Sequence, residues 1–446
     1  MSDSKNVDYL SRLPSELVQT ILAQLDDRDR ALLHPISRTL VPFQQLRLYR
    51  IVFLESYAQL AKFCKTRRGS SFLMKHVRQL EISITPNLDA SAVHSDSNPI
   101  SEQNDPFVPS TKEVEQLFGS LENVKVLVLH GSTRLASLVL CHDVASSSFP
   151  QLSDLKISST LTDFDDPFHP DHYQHLGEYA SLDTFALHAL RYPRGVQPSN
   201  DGSIETKPVL DSIWDLSLAG PLSAYPTSVE SLLPSSDRLV LLSLDDNLAS
   251  SRLYEFVRSV QHPETIRYLE LEHSDFQGTS PEGSIVDVLE KFSSLLHLAV
   301  GGNCTLSPDF YSSLRTLPLE SLTFKIFADV NLDELSRLIS GPRKHKSLTE
   351  ISFDNVEATM GTTIEEMGGE PFERPDGSGW DLYPGWQLPD WSDSFNREDL
   401  GKFIVAAGKE GIKVNGNVFQ AMAIEDRYDE EVERLECWEY VMEDLL

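Results

Sequence analysis

The sequence predicts an α/β fold of stacked strand and helix repeats, and three observations carry that expectation. One short apolar pattern recurs, its recurrences keep a nearly constant period, and amphipathic helical segments fill the intervals. The pattern is apolar, two variable, apolar, one variable, apolar. Its instances are Leu48/Ile51/Phe53, Val77/Leu80/Ile82, Val124/Leu127/Leu129, Leu152/Leu155/Ile157, Leu182/Phe185/Leu187, Ile213/Leu216/Leu218, Leu239/Leu242/Leu244, Ile266/Leu269/Leu271, Leu295/Leu298/Val300, Leu319/Leu322/Phe324 and Leu348/Ile351/Phe353. First positions are spaced by 29, 47, 28, 30, 31, 26, 27, 29, 24 and 29 residues, so all but one interval fall within a narrow window. A single match would carry no weight; recurrence at a fixed period does.

The pattern has a local physical cause. Its last two apolar residues lie two apart, as on one face of a short strand, and point into the array. Helical spacing follows in Leu253, Phe256, Val257 and Val260, in Ile285, Val286, Leu289 and Phe292, and in Leu332, Leu335, Leu338 and Ile339. A weaker closing unit is expected in a helix near Leu400 to Ala407 followed by Ile412 and Val414.

From Leu48 to Phe353 the chain resembles the leucine-rich repeats. That resemblance implies a solenoid, or horseshoe, with parallel strands on the concave face and helices on the convex face. A doubly wound α/β domain would want Gly-rich strand-to-helix turns and longer Val/Ile strands, and neither is present. The repeats are placed at 48–358. The 47-residue interval holds a polar insertion, 85–112, dense in Ser, Pro, Asn and Asp. A Gly/Pro/Trp-rich insertion, 359–396, carries Trp380, Trp386 and Trp391, either folded over the last repeats or offering aromatic anchors to a partner. The closing repeat and an acidic cap helix are placed at 397–446.

Residues 9–47 precede the repeats and do not share their pattern. Pro14 suits a first helical position, where a missing N–H costs nothing, and Leu17, Val18, Ile21, Leu22 and Leu25 follow at helical spacing. Asp29 is a candidate N-cap for a second helix, and a third runs from about Ile36 to Phe43. Leu13-Pro14-Ser15-Glu16, the apolar first helix, the acidic turn and Ile36-Ser37-Arg38 ahead of Leu48-Tyr49-Arg50 together resemble an F-box. That family binds a Skp-type adaptor, which joins a cullin ubiquitin ligase (the SCF assembly), while the repeats receive a protein substrate. Carried over by motif position, Leu13, Pro14, Leu17, Ile21, Leu22 and Ile36 are the expected adaptor contacts. The same helices would also serve to cover the first apolar face of the array, as repeat proteins require. An interaction scaffold with no ligase link is the alternative reading.

Charge narrows the partners further. The 446 residues hold 38 Lys and Arg against 68 Asp and Glu, a net charge of −30, so nucleic acid and anionic membrane are not expected. Cys64, Cys141, Cys304 and Cys437 are scattered without a Cys-x-x-Cys pair. With a polar N-terminus and no run of 18 apolar residues, they point to cytoplasm or nucleus. No phosphate-binding Gly-rich loop, nucleophile elbow or His-Glu-x-x-His motif is present, so neither catalysis nor a cofactor is expected. The metal-like run Asp163, Asp165, Asp166, His169, Asp171, His172 and His175 is read as a solvated loop, because Pro167 and Pro170 break any helix that would align it. A basic cluster, Lys62, Lys65, Arg67, Arg68, Lys75 and Arg78, is read as a solvated helical face. For the substrate, the residues flanking the strand's apolar pair point away from the core. In the middle repeats these are Asp215, Asp245, Tyr268, Glu270 and Glu272, with His188 and His297 at the margins, an acidic patch suited to a basic segment.

Overall fold

The computed structural model describes residues 49–419, apart from 70, 85–107, 142–147, 160–165, 180, 190–209, 247–252, 274–284, 303–305, 326–327, 329, 343, 355–371, 374–379 and 382–396. It divides into two compact units, 1–196 with 205–213, and 197–204 with 214–446. The adaptor-contact residues expected within 9–47, most of the insertion at 85–112, Trp386 and Trp391, and the tail from residue 420 lie outside the described residues.

The first unit alternates strands with helices in the order β1 (Ile51–Leu54), α1 (Tyr57–Gly69), α2 (Ser71–Met74), β2 (Gln79–Ser83), α3 (Thr111–Phe118), β3 (Val126–His130), α4 (Thr133–Cys141) and β4 (Asp154–Ser159). A 3-10 helix, Pro170–Glu178, then takes the helical place before β5 (Thr184–Ala189). Each strand pairs in parallel with the next. The register sets apolar residues side by side, Leu80 with Leu127, Leu155 and Phe185, and Ile82 with Leu129, Ile157 and Leu187, and all eight are buried. These are the residues the recurring pattern marks as inward. Truncating one such leucine to alanine typically costs about 2–5 kcal/mol.

The first repeat departs from expectation. Ile51 and Phe53, expected to face inward, are 46% and 57% exposed, and Leu54 is buried instead. Pairing sets Val52 against Leu80 and Leu54 against Ile82. A one-residue shift in strand register turns every side chain to the opposite face. Ile51-Val52-Phe53-Leu54 is apolar on both alternations, so only the neighbouring strand, where polar Gln79 and Glu81 alternate with Leu80 and Ile82, decides which set goes in.

Helix α3 starts at Thr111, before the end of the expected insertion, because Ser110 and Glu113 form a reciprocal capping box. From residue 166 onward the Asp- and His-rich stretch is packed and not the expected solvated loop: Phe168, Tyr173 and Leu176 are buried, and Asp166 Oδ1 accepts the Phe168 N–H at 2.8 Å. Among the described residues no group of three His, Cys, Asp or Glu is placed to hold a metal ion.

The second unit repeats the scheme. Its elements are β6 (Asp215–Gly220), α5 (Pro226–Leu232), β7 (Leu241–Asp246), α6 (Leu253–Ser259), β8 (Tyr268–His273), α7 (Val286–Leu289), β9 (His297–Val300), α8 (Pro308–Leu314), β10 (Ser321–Lys325), α9 (Leu332–Ile339) and β11 (Glu350–Asp354). After an antiparallel pair, β12 (Phe372–Glu373) and β13 (Trp380–Asp381), come α10 (Arg397–Lys409) and β14 (Lys413–Asn415). Strands β6 to β11 pair in parallel in sequence, and β14 joins β11. The closing repeat is therefore present, with Leu400, Phe403 and Ala407 buried. Phe353 stacks on Phe324 at 5.6 Å and meets Phe403 edge-on at 5.8 Å, which seals the last apolar rung. Gly416, at φ +115°, lets the chain pass Phe353, since a Cβ there would lie 2.1 Å from the Phe353 carbonyl oxygen.

Helical faces follow the expected spacing. Leu253, Phe256, Val257 and Val260 are buried, as are Leu332, Leu335, Leu338 and Ile339. Around α7, Ile285, Leu289 and Phe292 are buried as expected, and Val288 is buried in place of Val286, which is half-buried. Before β11, buried His345 ties two repeats together: Nε2 donates to the Leu314 and Leu317 carbonyls, both at 3.0 Å, and Nδ1 accepts the Leu348 N–H at 3.1 Å. Burial pushes its pKa down, more than the two carbonyls raise it, so the ring is neutral with its proton on Nε2.

Candidate functional site

Parallel pairing lines up the outward residues of the second unit in rows across its strands. One row runs Asp215, Leu241, Tyr268, His297, Ser321 and Glu350. The next runs Ser217, Ser243, Glu270, Ala299 and Thr323, and the third begins Ala219, Asp245 and Glu272. All five residues expected at a substrate surface, Asp215, Asp245, Tyr268, Glu270 and Glu272, thus lie on the same side of three adjacent strands. His297 joins them on β9, its ring centroid 6.1 Å from that of Tyr268. His188 does not, for it belongs to β5 of the other unit.

The face is less acidic than its sequence, because Lys325 reaches back over β9. Its ammonium bonds Glu270 Oε1 and lies 3.3 Å from Glu272 Oε2. Small residues make that reach possible. Ala299 and Gly301 stand between, and a Cβ on Gly301 would lie 2.7 Å from Lys325 Cβ and 3.2 Å from Glu272 Cγ. The Tyr268 hydroxyl donates to the other oxygen of Glu270, Oε2, at 3.0 Å. Glu270 is thereby held from two sides in one orientation.

Electrostatics follow from that packing. Burial first, then the Glu270 carboxylate beside it, push the Tyr268 pKa up to about 12, so the hydroxyl remains a donor at any physiological pH. Burial alone would lower the Lys325 pKa, but the hydrogen bonds and charges of Glu270 and Glu272 outweigh it and hold the ammonium above its ordinary value. On β6 to β8 the four carboxylates of Asp215, Asp245, Glu270 and Glu272 stand against the one ammonium of Lys325. Such a surface is suited to a cationic partner group, whose guanidinium or ammonium would be met by oriented oxygens rather than by mobile side chains.

Lys325 was within reach of sequence reasoning. It directly follows Phe324, the third apolar residue of its repeat, and so occupies the outward position that names Asp245 and Glu272 in theirs. Its pairing was not legible, since nothing local says that it spans an intervening strand.

In the basic cluster at residues 62–78, three side chains have separate partners. Arg67 donates to the Gln116 carbonyl and side chain at 3.0 and 2.7 Å, Lys75 lies 3.7 Å from Glu122, and Arg78 turns toward main-chain carbonyls. No helix among the described residues is long and apolar enough to cross a membrane.

Strand, turn and helix recurring at this period, with parallel strands in register, define the leucine-rich-repeat architecture in each unit. No family model and no curated protein matches the sequence. Three solved structures resemble it in part. An internalin (inlF) from Listeria monocytogenes is 12% identical, with 64% of this chain and 76% of that chain covered and a TM-score of 0.32. The Rad7 and Elc1 complex of yeast gives 13% identity, 75% and 85% coverage and a TM-score of 0.37. The leucine-rich repeat-containing protein LegL7 from Legionella pneumophila gives 17%, 57% and 72%, and 0.33. At this level of similarity none speaks to what this chain binds.

Proposed function

We propose that this chain is a non-enzymatic substrate-recognition subunit of an SCF-type ubiquitin ligase. Residues 9–47 dock a Skp-type adaptor and through it a cullin, and the repeats hold a protein substrate. The chain chemically modifies nothing itself; it raises the local concentration of substrate at the ligase.

The observation that carries the binding half is the oriented cluster of Tyr268, Glu270, Glu272 and Lys325 on the strand face of the second unit. A row built only to solvate the sheet would not need a glutamate fixed from two sides, as Glu270 is. Asp215 and Asp245 extend the same rows, and a basic segment of the substrate is the matching chemistry. The ligase half rests on the F-box-like letters alone.

Adaptor binding is tested in the full chain carrying Leu17→Ala and Ile21→Ala. Loss of one central apolar anchor costs at least about 2 kcal/mol, near thirtyfold in affinity, so binding should fall by that much or more. Unchanged binding by a variant that still folds would leave the helices as a cap and the chain as a scaffold without a ligase link.

A further inference from the structure

The residue just before each strand forms a further row along the sheet's edge, because its carbonyl accepts two N–H groups from the start of the next strand. Arg50 O receives the N–H of Arg78 and Gln79, Arg78 O those of Lys125 and Val126, and Lys125 O those of Ser153 and Asp154. In the first unit this row reads Arg50, Arg78, Lys125, Ser153 and Asp183. Three cations therefore stand on successive repeats, with neighbouring strands about 4.8 Å apart. With His76 they line a cleft of about 360 Å³.

Repeat geometry does not demand basic residues there. The equivalent row in the second unit reads Trp214, Val240, Arg267, Leu296, Glu320 and Thr349. Nor does composition supply them, since only 38 of 446 residues are Lys or Arg. Like charges on adjacent strands repel, so the run carries a cost in the unliganded protein.

The centre of the cleft is held in place. Arg78 Nη1 donates to the carbonyls of Lys75, Val77 and Asn123 at 3.1, 3.4 and 3.3 Å. Asn123 is fixed in turn, its Nδ2 on the Lys75 carbonyl at 2.8 Å and its Oδ1 taking the Gln151 amide at 3.1 Å. Arg78 Nε and Nη2 have no partner among the described residues, and neither do the side-chain nitrogens of Arg50 and Lys125. The neighbouring acids are engaged: Glu122 faces Lys75, and Asp154 accepts the Ser153 hydroxyl at 2.7 Å.

We propose that this cleft binds a phosphate monoester, seated between Arg50 and Lys125 on the anchored guanidinium of Arg78. A monoester carries about −1.5 to −2 charges at pH 7 and three acceptor oxygens, which matches three convergent cations better than one carboxylate does. The row turns neutral at Ser153 and acidic at Asp183, so the site accepts one group rather than a continuous phosphodiester track. The phosphorylated side chain of a protein partner is the favoured source, and a free small phosphate carries the same chemistry. The assignment is independent of the adaptor reading.

The test is calorimetric titration of the full chain at fixed ionic strength. The probes are a short neutral peptide bearing phosphoserine, the same peptide bearing Glu, inorganic phosphate, and a single-stranded oligonucleotide. The phosphopeptide should saturate at one per chain, and Arg50→Ala with Lys125→Ala should weaken it by about tenfold or more. Lys62→Ala with Lys65→Ala, on the α1 surface, should not. Inorganic phosphate binding as tightly as the phosphopeptide assigns the site to a small phosphate; markedly weaker binding assigns it to a protein side chain. The proposal is overturned by absence of saturable binding, by equal affinity for the Glu peptide, by tighter binding of the oligonucleotide, or by equal loss in both variants.

Discussion

The two charged regions of the molecule solve the same problem in opposite ways. On the strand face of the second unit, Glu270 and Glu272 face away from the core, and Lys325 crosses β9 to neutralise part of their charge. At the sheet edge of the first unit, Arg50 and Lys125 flank Arg78 with no carboxylate among the described residues bonded to any of the three. One region is internally compensated and contributes to folding. The other is not compensated and gains only when an anion arrives. Net charge gives no hint of this difference, for in a chain of −30 these three cations have no bonded carboxylate among the described residues.

The comparison breaks most sharply at Gly301. In Gly301→Val the new side chain would occupy the path of Lys325, whose Cβ stands 2.7 Å from the position of any Cβ at 301. Overpacking of this kind costs about 1–3 kcal/mol, read as a lower denaturant midpoint with an unchanged slope. A wild-type midpoint would mean that the bridge is dispensable.

Lys325→Met should cost somewhat less, about 1–2 kcal/mol, because two partly buried carboxylates lose a charged donor. Its binding consequence has the opposite sign. With the internal competitor gone, affinity for a basic peptide should rise, whereas Asp245→Lys with Glu270→Lys should abolish it selectively and with strong salt dependence. If Lys325→Met leaves that affinity unchanged, the acidic cluster is structural and the substrate sits elsewhere.

Tyr268→Phe removes one hydrogen bond, about 1 kcal/mol. It should also change the alkaline limb of the stability curve. The folded pKa of about 12 exceeds that of an unfolded tyrosine, about 10. The associated stability is therefore intact below about pH 10 and is lost as pH rises toward 12. A variant whose unfolding keeps the full wild-type slope across that range would refute this assignment.

The smallest effect belongs to the edge of the first unit. Arg50→Ala with Lys125→Ala touches exposed side chains without bonded partners among the described residues, so stability should stay within about 0.5 kcal/mol of wild type. A clear loss would show that these cations support the fold instead of waiting for a ligand.

The strands and helices were legible because their causes are local. Leu80 and Ile82 mark a strand by a two-residue alternation, and Leu332, Leu335, Leu338 and Ile339 mark a helix by spacing of three and four. The outward placement of Asp245, Glu270 and Glu272 followed from the same alternation. The register of β1 was not legible, since Ile51 and Phe53 are as apolar as Val52 and Leu54, and the partner strand made the choice.

By itself the sequence determined the repeat period, the inward residues of ten of the eleven repeats and the outward position of the acidic residues on β6 to β8, since backbone periodicity assigns each side chain a face within a few residues. Tertiary structure alone decided which charges meet. Lys325 lies 55 residues from Glu270, and the three cations of the cleft are 28 and 47 residues apart in sequence. Stacking places residues one repeat apart side by side, and whether a small residue such as Gly301 opens a path between them depends on the neighbouring strands as much as on the letters that precede and follow it.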